Sequence, residues 1–199
     1  MSEGKQINAS NDCAQSFTFG RIILDLCGGT GSWSQPYAEA GYDVRVIDPM
    51  ADGCDVRVHE YMGDIHGILA APPCTHLSGS GARWWADKGD AALMEALAVV
   101  DACMRIIATS NPVWWALENP VGRLRNYIGP PVMTFNPCHY GDPWTKRTLL
   151  WGNFTVPDKC PVEPTQGSKL WRLGPSPERA KLRSITPPGF ARAFFKANP

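Results

Sequence analysis

The feature that most constrains the fold is a short apolar run that passes directly into a glycine-rich turn. Residues 21–27 (RIILDLC) have the continuous apolar character of a strand buried in a parallel sheet, and residues 28–33 (GGTGSW) follow at once. Glycines there permit a tight turn and close approach of a ligand to the backbone. A helix predicted over residues 34–40 presents its positive end to that ligand. The pattern predicts a nucleotide-binding strand, loop and helix.

A second predicted strand, residues 42–48 (YDVRVID), ends in an acid. In doubly wound nucleotide-binding folds, an acid about 20 residues past the glycines contacts the ribose. Asp48 is therefore the predicted ribose ligand, and a turn-forming aspartate before Pro49 is the alternative. Asp55 is a further acid that could meet an adenine amino group. The glycines match neither the Walker loop nor the GxGxxG fingerprint, although a nucleotide-binding oxidoreductase would also fit the loop.

A third apolar run, residues 68–71 (ILAA), stops at Pro72 and Pro73 and is followed by Cys74. Proline cannot donate to a sheet and fixes its own φ, so the cysteine is held at the carboxyl end of a predicted strand. The segment after it, including Ser78, is polar and glycine-rich, as mobile loops over substrates are. The pattern predicts a nucleophilic thiol. The alternative is a buried cysteine that packs as a small apolar side chain.

An acid follows the next predicted strand in the same way. Residues 90–109 have helical spacing and end before Asn111 and Pro112, and residues 113–117 (VWWAL) then read as a buried strand. Glu118 comes directly after it. Open parallel sheets place their ligand crevice at the carboxyl ends of the strands, so Glu118 and Cys74 are expected to share one cleft. A structural glutamate at a strand end is the alternative.

The last third of the chain contains one more apolar strand and a basic segment. Lys146 and Arg147 precede the strand predicted over residues 148–151, and either could grip a phosphate or a carbonyl group. Beyond Gly152 the chain is rich in proline, which predicts loops and at most one short helix, residues 188–197.

Composition limits the class of protein. A chain of 199 residues suits one domain, and no apolar run approaches the roughly 20 residues of a membrane span. Seven scattered cysteines without CxxC spacing indicate reduced thiols, no metal site and a cytoplasmic protein. Residues 1–151 carry a net charge of −5 and residues 152–199 a net charge of +5. The basic part indicates a polyanionic partner, with an ordinary solvated surface as the alternative.

The motifs GGTG at 28–31, PPCTHLS at 72–78 and ENP at 118–120 occur in this order. With them the sequence resembles the DNA cytosine-5 methyltransferases, most closely short members of phage or prophage type. The resemblance covers about residues 20–152, with a weaker echo near 184–188. It implies an α/β fold of the class I S-adenosylmethionine-dependent type, a Rossmann-like and mostly parallel sheet with flanking helices, in a bacterial cytoplasm.

The resemblance also divides the chain and assigns roles within it. Residues 1–18 would be a poorly ordered lead-in, 19–152 the catalytic domain, and 153–199 a short basic region that serves as a minimal DNA-recognition segment. The implied catalytic residues are Cys74, Glu118 and Arg147, and the implied substrate contacts are Pro73, Ser78, Asn119 and Lys146. The implied S-adenosylmethionine contacts are Asp25, Cys27, Gly28, Gly29, Thr30, Gly31, Trp33, Asp48, Pro49, Asp55 and Pro72.

The family's chemistry explains these residue types. Carbon 5 of cytosine is a poor nucleophile, so the thiolate, here Cys74, adds to carbon 6 and makes carbon 5 electron-rich enough to take the methyl group. The glutamate, here Glu118, hydrogen-bonds ring nitrogen 3 and the exocyclic amine. Carbon 6 cannot be reached inside a duplex, so the base would be flipped into the site.

The sequence departs from the family at three places. The glutamate motif ends in Pro120 instead of valine, and Trp144 and Thr145 stand where a glutamine and the first arginine of the family's arginine motif are expected. Arg147 matches the last arginine of that motif. The large target-recognition domain is missing, which predicts a short or relaxed recognition sequence or a helper chain. Methylation of RNA or a free nucleotide, or an inactive cofactor-binding partner subunit, are the alternative functions.

Overall fold

A computed structural model of the chain describes residues 20–51, 53–60, 63–174, 176 and 178–199. Within these residues six strands form one sheet: β1 (Ile22–Leu26), β2 (Asp43–Ile47), β3 (Ile65–Ala70), β4 (Trp114–Pro120), β5 (Met133–Phe135) and β6 (Thr148–Asn153). The strand order is β2-β1-β3-β4-β6-β5. The lead-in predicted over residues 1–18 lies outside the described residues.

The sheet is mixed. The pairings β1–β2, β1–β3 and β3–β4 are parallel, whereas β6 runs antiparallel to both β4 and β5. The sequence predicted a mostly parallel sheet; the first four strands are parallel, and the side of the sheet that β5 and β6 form is antiparallel. The carboxyl ends of β1, β2, β3 and β4 meet at one edge of the sheet, which is where the sequence analysis placed its candidate residues.

The helices are α1 (Gln35–Glu39), α2 (Trp85–Ser110), α3 (Arg125–Ile128), α4 (Arg179–Ser184) and α5 (Pro188–Ala197). The long helix α2 is kinked at Gly89, whose φ of +69° interrupts the helix, so its regular part begins where the sequence predicted. It ends at Asn111 in the left-handed conformation. No helix in the described part of the chain has both the length and the apolar character needed to cross a membrane.

Alternate residues of the strands pack on opposite faces of the sheet. Leu24, Ile68 and Leu117 belong to a core shared with α2, while Ile23, Leu69 and Ala116 belong to an aromatic-rich core shared with α1 and α5. Both faces are thus covered, as the continuous apolar runs required. At Gly67 a Cβ atom would lie 2.1 Å from the ring of Trp114 on the neighbouring strand, so glycine makes room for that ring.

The C-terminal part is more regular than its proline content predicted. Helix α5 is confirmed over residues 188–197, but α4 and a 3₁₀ turn at Lys169–Trp171 are additional, so the expectation of at most one helix is wrong. Phe190 of α5 is fully buried and stacks on Phe135 with ring centroids 3.9 Å apart. The Tyr37 hydroxyl donates to the Asn198 carbonyl at 2.8 Å. The end of the chain therefore packs into the body of the α/β fold.

Candidate active site

The glycine loop leaves β1 through residues with left-handed backbone conformation. Cys27, Gly29 and Gly31 have φ of +57°, +53° and +66°, a region that side chains disfavour and glycine does not. The N–H of Cys27 donates to the Ile47 carbonyl at 2.8 Å, which ties the start of the loop to the end of β2. The Gln35 N–H donates to the Gly31 carbonyl at 2.9 Å, which begins α1.

Asp25 lies beneath this loop with its side chain 1% exposed. Ser34 Oγ donates to Asp25 Oδ2 at 2.6 Å, whereas Oδ1 has no hydrogen-bond partner among the described residues. Burial, assisted by the negative charge of Asp48 and opposed by the Ser34 hydroxyl, raises the pKa of Asp25 to about 6. A Cβ atom at Gly28 would lie 2.4–2.6 Å from the Asp25 carboxyl group, so only glycine fits above it.

Asp48 connects the glycine loop to the turn after β2. Its Oδ2 accepts from the Gly29 N–H at 3.1 Å and its Oδ1 from the Met50 N–H at 2.8 Å. The turn-forming role that was the alternative is thus present, and the predicted contact of Asp48 with the ribose stays a prediction. Asp55 pairs with Arg57 at 2.5 Å, and this guanidinium holds the pKa of Asp55 below its usual range. Its predicted contact with adenine stays a prediction.

The other predicted cofactor residues differ in their surroundings. Thr30 and Pro49 are exposed, and Pro72 is buried at the end of β3. Trp33 is 2% exposed, and its ring packs in the aromatic core against Phe194 with centroids 5.5 Å apart. Its placement supports the loop from below, and a direct contact with cofactor stays a prediction.

Cys74 sits in a turn that the end of β4 holds in place. The N–H groups of Leu77 and Ser78 donate to the Cys74 carbonyl at 3.0 and 2.8 Å. Asn119 is fully buried, and its Nδ2 donates to the Pro72 carbonyl at 2.9 Å. The amide of the residue after Glu118 thus fixes the backbone just before the thiol.

Further contacts tie the segment after Cys74 to the segment after β4. The Gly79 N–H donates to the Val121 carbonyl and the Arg123 N–H to the Leu77 carbonyl, each at 2.8 Å. Arg123 Nε also donates to the His76 carbonyl at 2.8 Å. The glycine-rich segment that the sequence suggested as mobile is therefore held by several hydrogen bonds at its start.

The Cys74 thiol is influenced by the charges of one carboxylate and two cations from different parts of the chain. Burial raises the pKa of Cys74 above its ordinary value, and the charge of Glu118 raises it further, while Lys146 and Arg183 act in the opposite direction. Lys146 Nζ lies 3.7 Å from Glu118 Oε1, and both side chains are mostly buried. Cys74, Glu118 and Lys146 are thus brought together, as expected for residues from neighbouring strand ends.

The remaining predicted substrate and catalytic residues are placed around this group. Ser78 is buried and its Oγ lies 2.9 Å from Ser80 Oγ, whereas Pro73 is exposed. Arg147 is also exposed. The side chain that reaches Glu118 is the neighbouring Lys146.

Two basic residues at the site were not predicted. Arg123 clamps the turn after Cys74, and its guanidinium carbon also lies 4.6 Å from the ring centroid of Trp85. Arg183 comes from α4, more than 100 residues after Cys74 in the chain. The only sequence signals were the basic charge of residues 152–199 and the weak family echo that begins at Ser184.

No protein-family model and no curated protein matches this sequence. Among solved structures, the fold is similar to a prophage-encoded protein of E. coli described as a DNA modification methyltransferase, with a TM-score of 0.47 and 18% identity. The match covers 72% of this chain and 53% of that protein. The chain thus spans about half the length of that protein.

Proposed function

We propose that this chain is a class I S-adenosylmethionine-dependent enzyme that methylates carbon 5 of cytosine in DNA through a covalent bond between Cys74 and carbon 6. The observation that carries the proposal is that Cys74 and Glu118 come from the carboxyl ends of the paired strands β3 and β4, with Lys146 Nζ 3.7 Å from Glu118 Oε1. A nucleophile, a carboxylate for the pyrimidine edge and a cation beside that carboxylate are the groups that this reaction needs.

The residues of the glycine loop fit the methyl donor. Oδ1 of Asp25 has no hydrogen-bond partner among the described residues and can accept a hydrogen bond from an amino group, and Asp48 accepts from the Gly29 N–H beside the loop, where a ribose-binding acid is expected. S-adenosylmethionine, when bound, supplies the methyl group from its sulfonium. Burial of Asp25 without a full set of donors is a cost that a cationic ligand would offset.

In the resting enzyme Cys74 holds its proton, because burial and the Glu118 carboxylate both raise the pKa of the thiol. When Glu118 binds the ring edge of cytosine, its negative charge is shared with the base and its effect on the thiol weakens. The nearby Lys146 and Arg183 then favour the thiolate. Substrate binding would in this way activate the nucleophile.

The bonds balance over one cycle. The Cys74 thiol first gives its proton to solvent. Its sulfur then bonds to carbon 6, and the electron pair of the ring double bond moves to carbon 5, where the Glu118 contact stabilises the charge. Carbon 5 takes the methyl group and then gives its proton to a base. The electron pair of that C–H bond restores the double bond, and the bond between carbon 6 and sulfur breaks to return the thiolate.

Charge favours a nucleic acid as the partner. Residues 152–199 carry a net charge of +5, and exposed basic side chains in this part include Lys159, Arg172, Lys181 and Lys196. Such a surface attracts phosphates without reading sequence. Because such contacts do not read sequence, we expect a short or relaxed site, or a helper chain that supplies specificity.

The test is methyl transfer from labelled S-adenosylmethionine to duplex DNA, single-stranded DNA, transfer RNA and dCMP. We expect duplex DNA to be labelled, with Cys74→Ser abolishing transfer and Cys160→Ser, an exposed cysteine at a distance in the chain, leaving it unchanged. Preferential labelling of RNA or dCMP would keep the chemistry and replace the substrate. Absence of transfer to all four substrates would favour the inactive partner-subunit alternative.

A further inference from the structure

Arg183 lies where three parts of the site meet. Its Nη2 donates to Ser80 Oγ at 3.4 Å, on the segment after Cys74. Its backbone carbonyl accepts from Lys146 Nζ at 3.0 Å. Its side chain is half-buried, so the guanidinium group is partly shielded from solvent and its charge acts on its neighbours more strongly than that of an exposed side chain.

The chain just after Arg183 is joined to the glycine loop. The N–H of Thr186 donates to Ser32 Oγ at 2.8 Å, and Ser32 directly follows the glycines that the methyl donor would contact. Three residues further on, the buried backbone of Gly189 is fixed by its hydrogen bond to Asp142 Oδ2 at 2.9 Å. Residues 183–186 thus connect the glycine loop, residues 28–33, with the segment after Cys74, residues 74–80, which we call the thiol loop.

A hydrogen-bond chain leads from Arg183 into the thiol loop. The guanidinium group can only donate, so Ser80 Oγ accepts from it. Ser80 Oγ and Ser78 Oγ lie 2.9 Å apart in a hydrogen bond that either hydroxyl can donate. Ser78 Oγ also accepts from the Ser80 N–H at 3.3 Å, so both serines and Arg183 form one hydrogen-bonded group on the segment after Cys74.

We propose that Arg183 is a positioning residue of this site: it fixes the thiol loop through Ser80 and, together with Lys146, supplies the positive charge that favours the Cys74 thiolate. The charges that act on the Cys74 thiol include Glu118 from β4, Lys146 from the segment before β6, and Arg183 from α4. Arg183 is also hydrogen-bonded to the segment after Cys74, through Ser80 Oγ. The proposal deepens the proposed function and rests on it for its catalytic meaning.

The experiment measures alkylation of Cys74 by iodoacetamide, followed by peptide mass spectrometry across pH 6.5–10 without DNA or methyl donor. Half-shielded charge pairs contribute up to ~1 kcal/mol, so Arg183→Gln is expected to slow alkylation at pH 7.5 by about two- to fivefold and to move the pH profile upward. Arg183→Lys should restore most of the rate. Lys181→Gln, which removes an exposed charge from the same helix, should match wild type.

Glu118→Gln serves as a control of opposite sign, because loss of the carboxylate should accelerate alkylation. If Arg183→Gln does not fold, Ser80→Ala removes the accepting hydroxyl alone and should slow alkylation in the same direction. A pH profile for Arg183→Gln, or for Ser80→Ala, that superimposes on wild type and Lys181→Gln overturns the proposal. Failure of the proposed function would instead appear as wild-type protein that transfers no methyl group, and it leaves this thiol measurement intact.

Discussion

Replacing Asp25 with asparagine should make the ligand-free protein more stable at pH 8 and less capable of binding the methyl donor. The carboxyl group has an ordinary pKa of 3.8 and a pKa of about 6 in the folded protein, mainly because of burial. Between these values the folded state binds more protons than the unfolded state, so the free energy of unfolding of wild type falls as pH rises through this window. Asparagine does not titrate, and Asp25→Asn lacks this dependence.

The magnitude follows from the same two values. One pKa unit corresponds to ~1.4 kcal/mol, so the step from 3.8 to about 6 gives about 3 kcal/mol. The difference in unfolding free energy, Asp25→Asn minus wild type, should therefore rise by about 2.5 kcal/mol between pH 4 and pH 8, because a small part of the change lies below pH 4. The buried amide N–H offsets part of this at every pH, by roughly 1–2 kcal/mol, because it has no acceptor at the position of Oδ1.

Urea unfolding at several pH values, followed by circular dichroism, measures this difference, and other titrating groups cancel because both proteins carry them. Asp43→Asn is the matched control, since Asp43 is exposed and its partner Arg45 lowers its pKa. The difference in unfolding free energy between Asp43→Asn and wild type should change little with pH, and it should fall slightly as pH rises. If the difference in unfolding free energy between Asp25→Asn and wild type stays constant from pH 4 to pH 8, Asp25 is not a carboxylate that burial destabilises.

Two further predictions concern the contacts that hold the strand ends in place. Gly67→Ala should lower the free energy of unfolding by about 1–3 kcal/mol through overpacking against Trp114. Gly174→Ala should change it little, because a Cβ atom there meets nothing within 4 Å. Equal urea midpoints for the two variants would contradict this prediction. Asn119→Asp removes the donor to the Pro72 carbonyl and should cost about 1–3 kcal/mol, measured by urea denaturation, and unchanged stability would show that this hydrogen bond is dispensable.

The sequence predicted the first four strands, α2 and α5 because their signals are local. Continuous apolar runs, the glycines after β1 and the Asn111-Pro112 stop depend on residues that are neighbours in the chain. The direction of β6 was not predictable in this way, since an apolar run has the same pattern whether it pairs parallel or antiparallel. Only its pairing with β4, through residues such as Leu150 opposite Glu118, reveals the direction.

The candidate site was predicted where a residue follows a strand and missed where it arrives from afar. Cys74 and Glu118 were proposed from adjacent strand ends, and the parallel pairing of β3 with β4 places those ends side by side. The sequence alone does not show whether Lys146 or Arg147 points into the site, because the backbone at that turn decides which of two consecutive side chains turns inward. Arg183 reaches Ser80 across 103 residues of chain, a contact that no local pattern encodes.

The most direct test of the central claim is trapping of the covalent intermediate. Wild-type protein is incubated with S-adenosylmethionine and duplex DNA that contains 5-fluorocytosine, whose fluorine cannot leave as a proton does, so that the bond between Cys74 and carbon 6 persists. We expect a denaturation-resistant protein–DNA adduct whose mass maps to the peptide containing Cys74, present in Cys160→Ser and absent in Cys74→Ser. An adduct that survives in Cys74→Ser, or wild-type protein that forms none while it methylates DNA, would contradict the account.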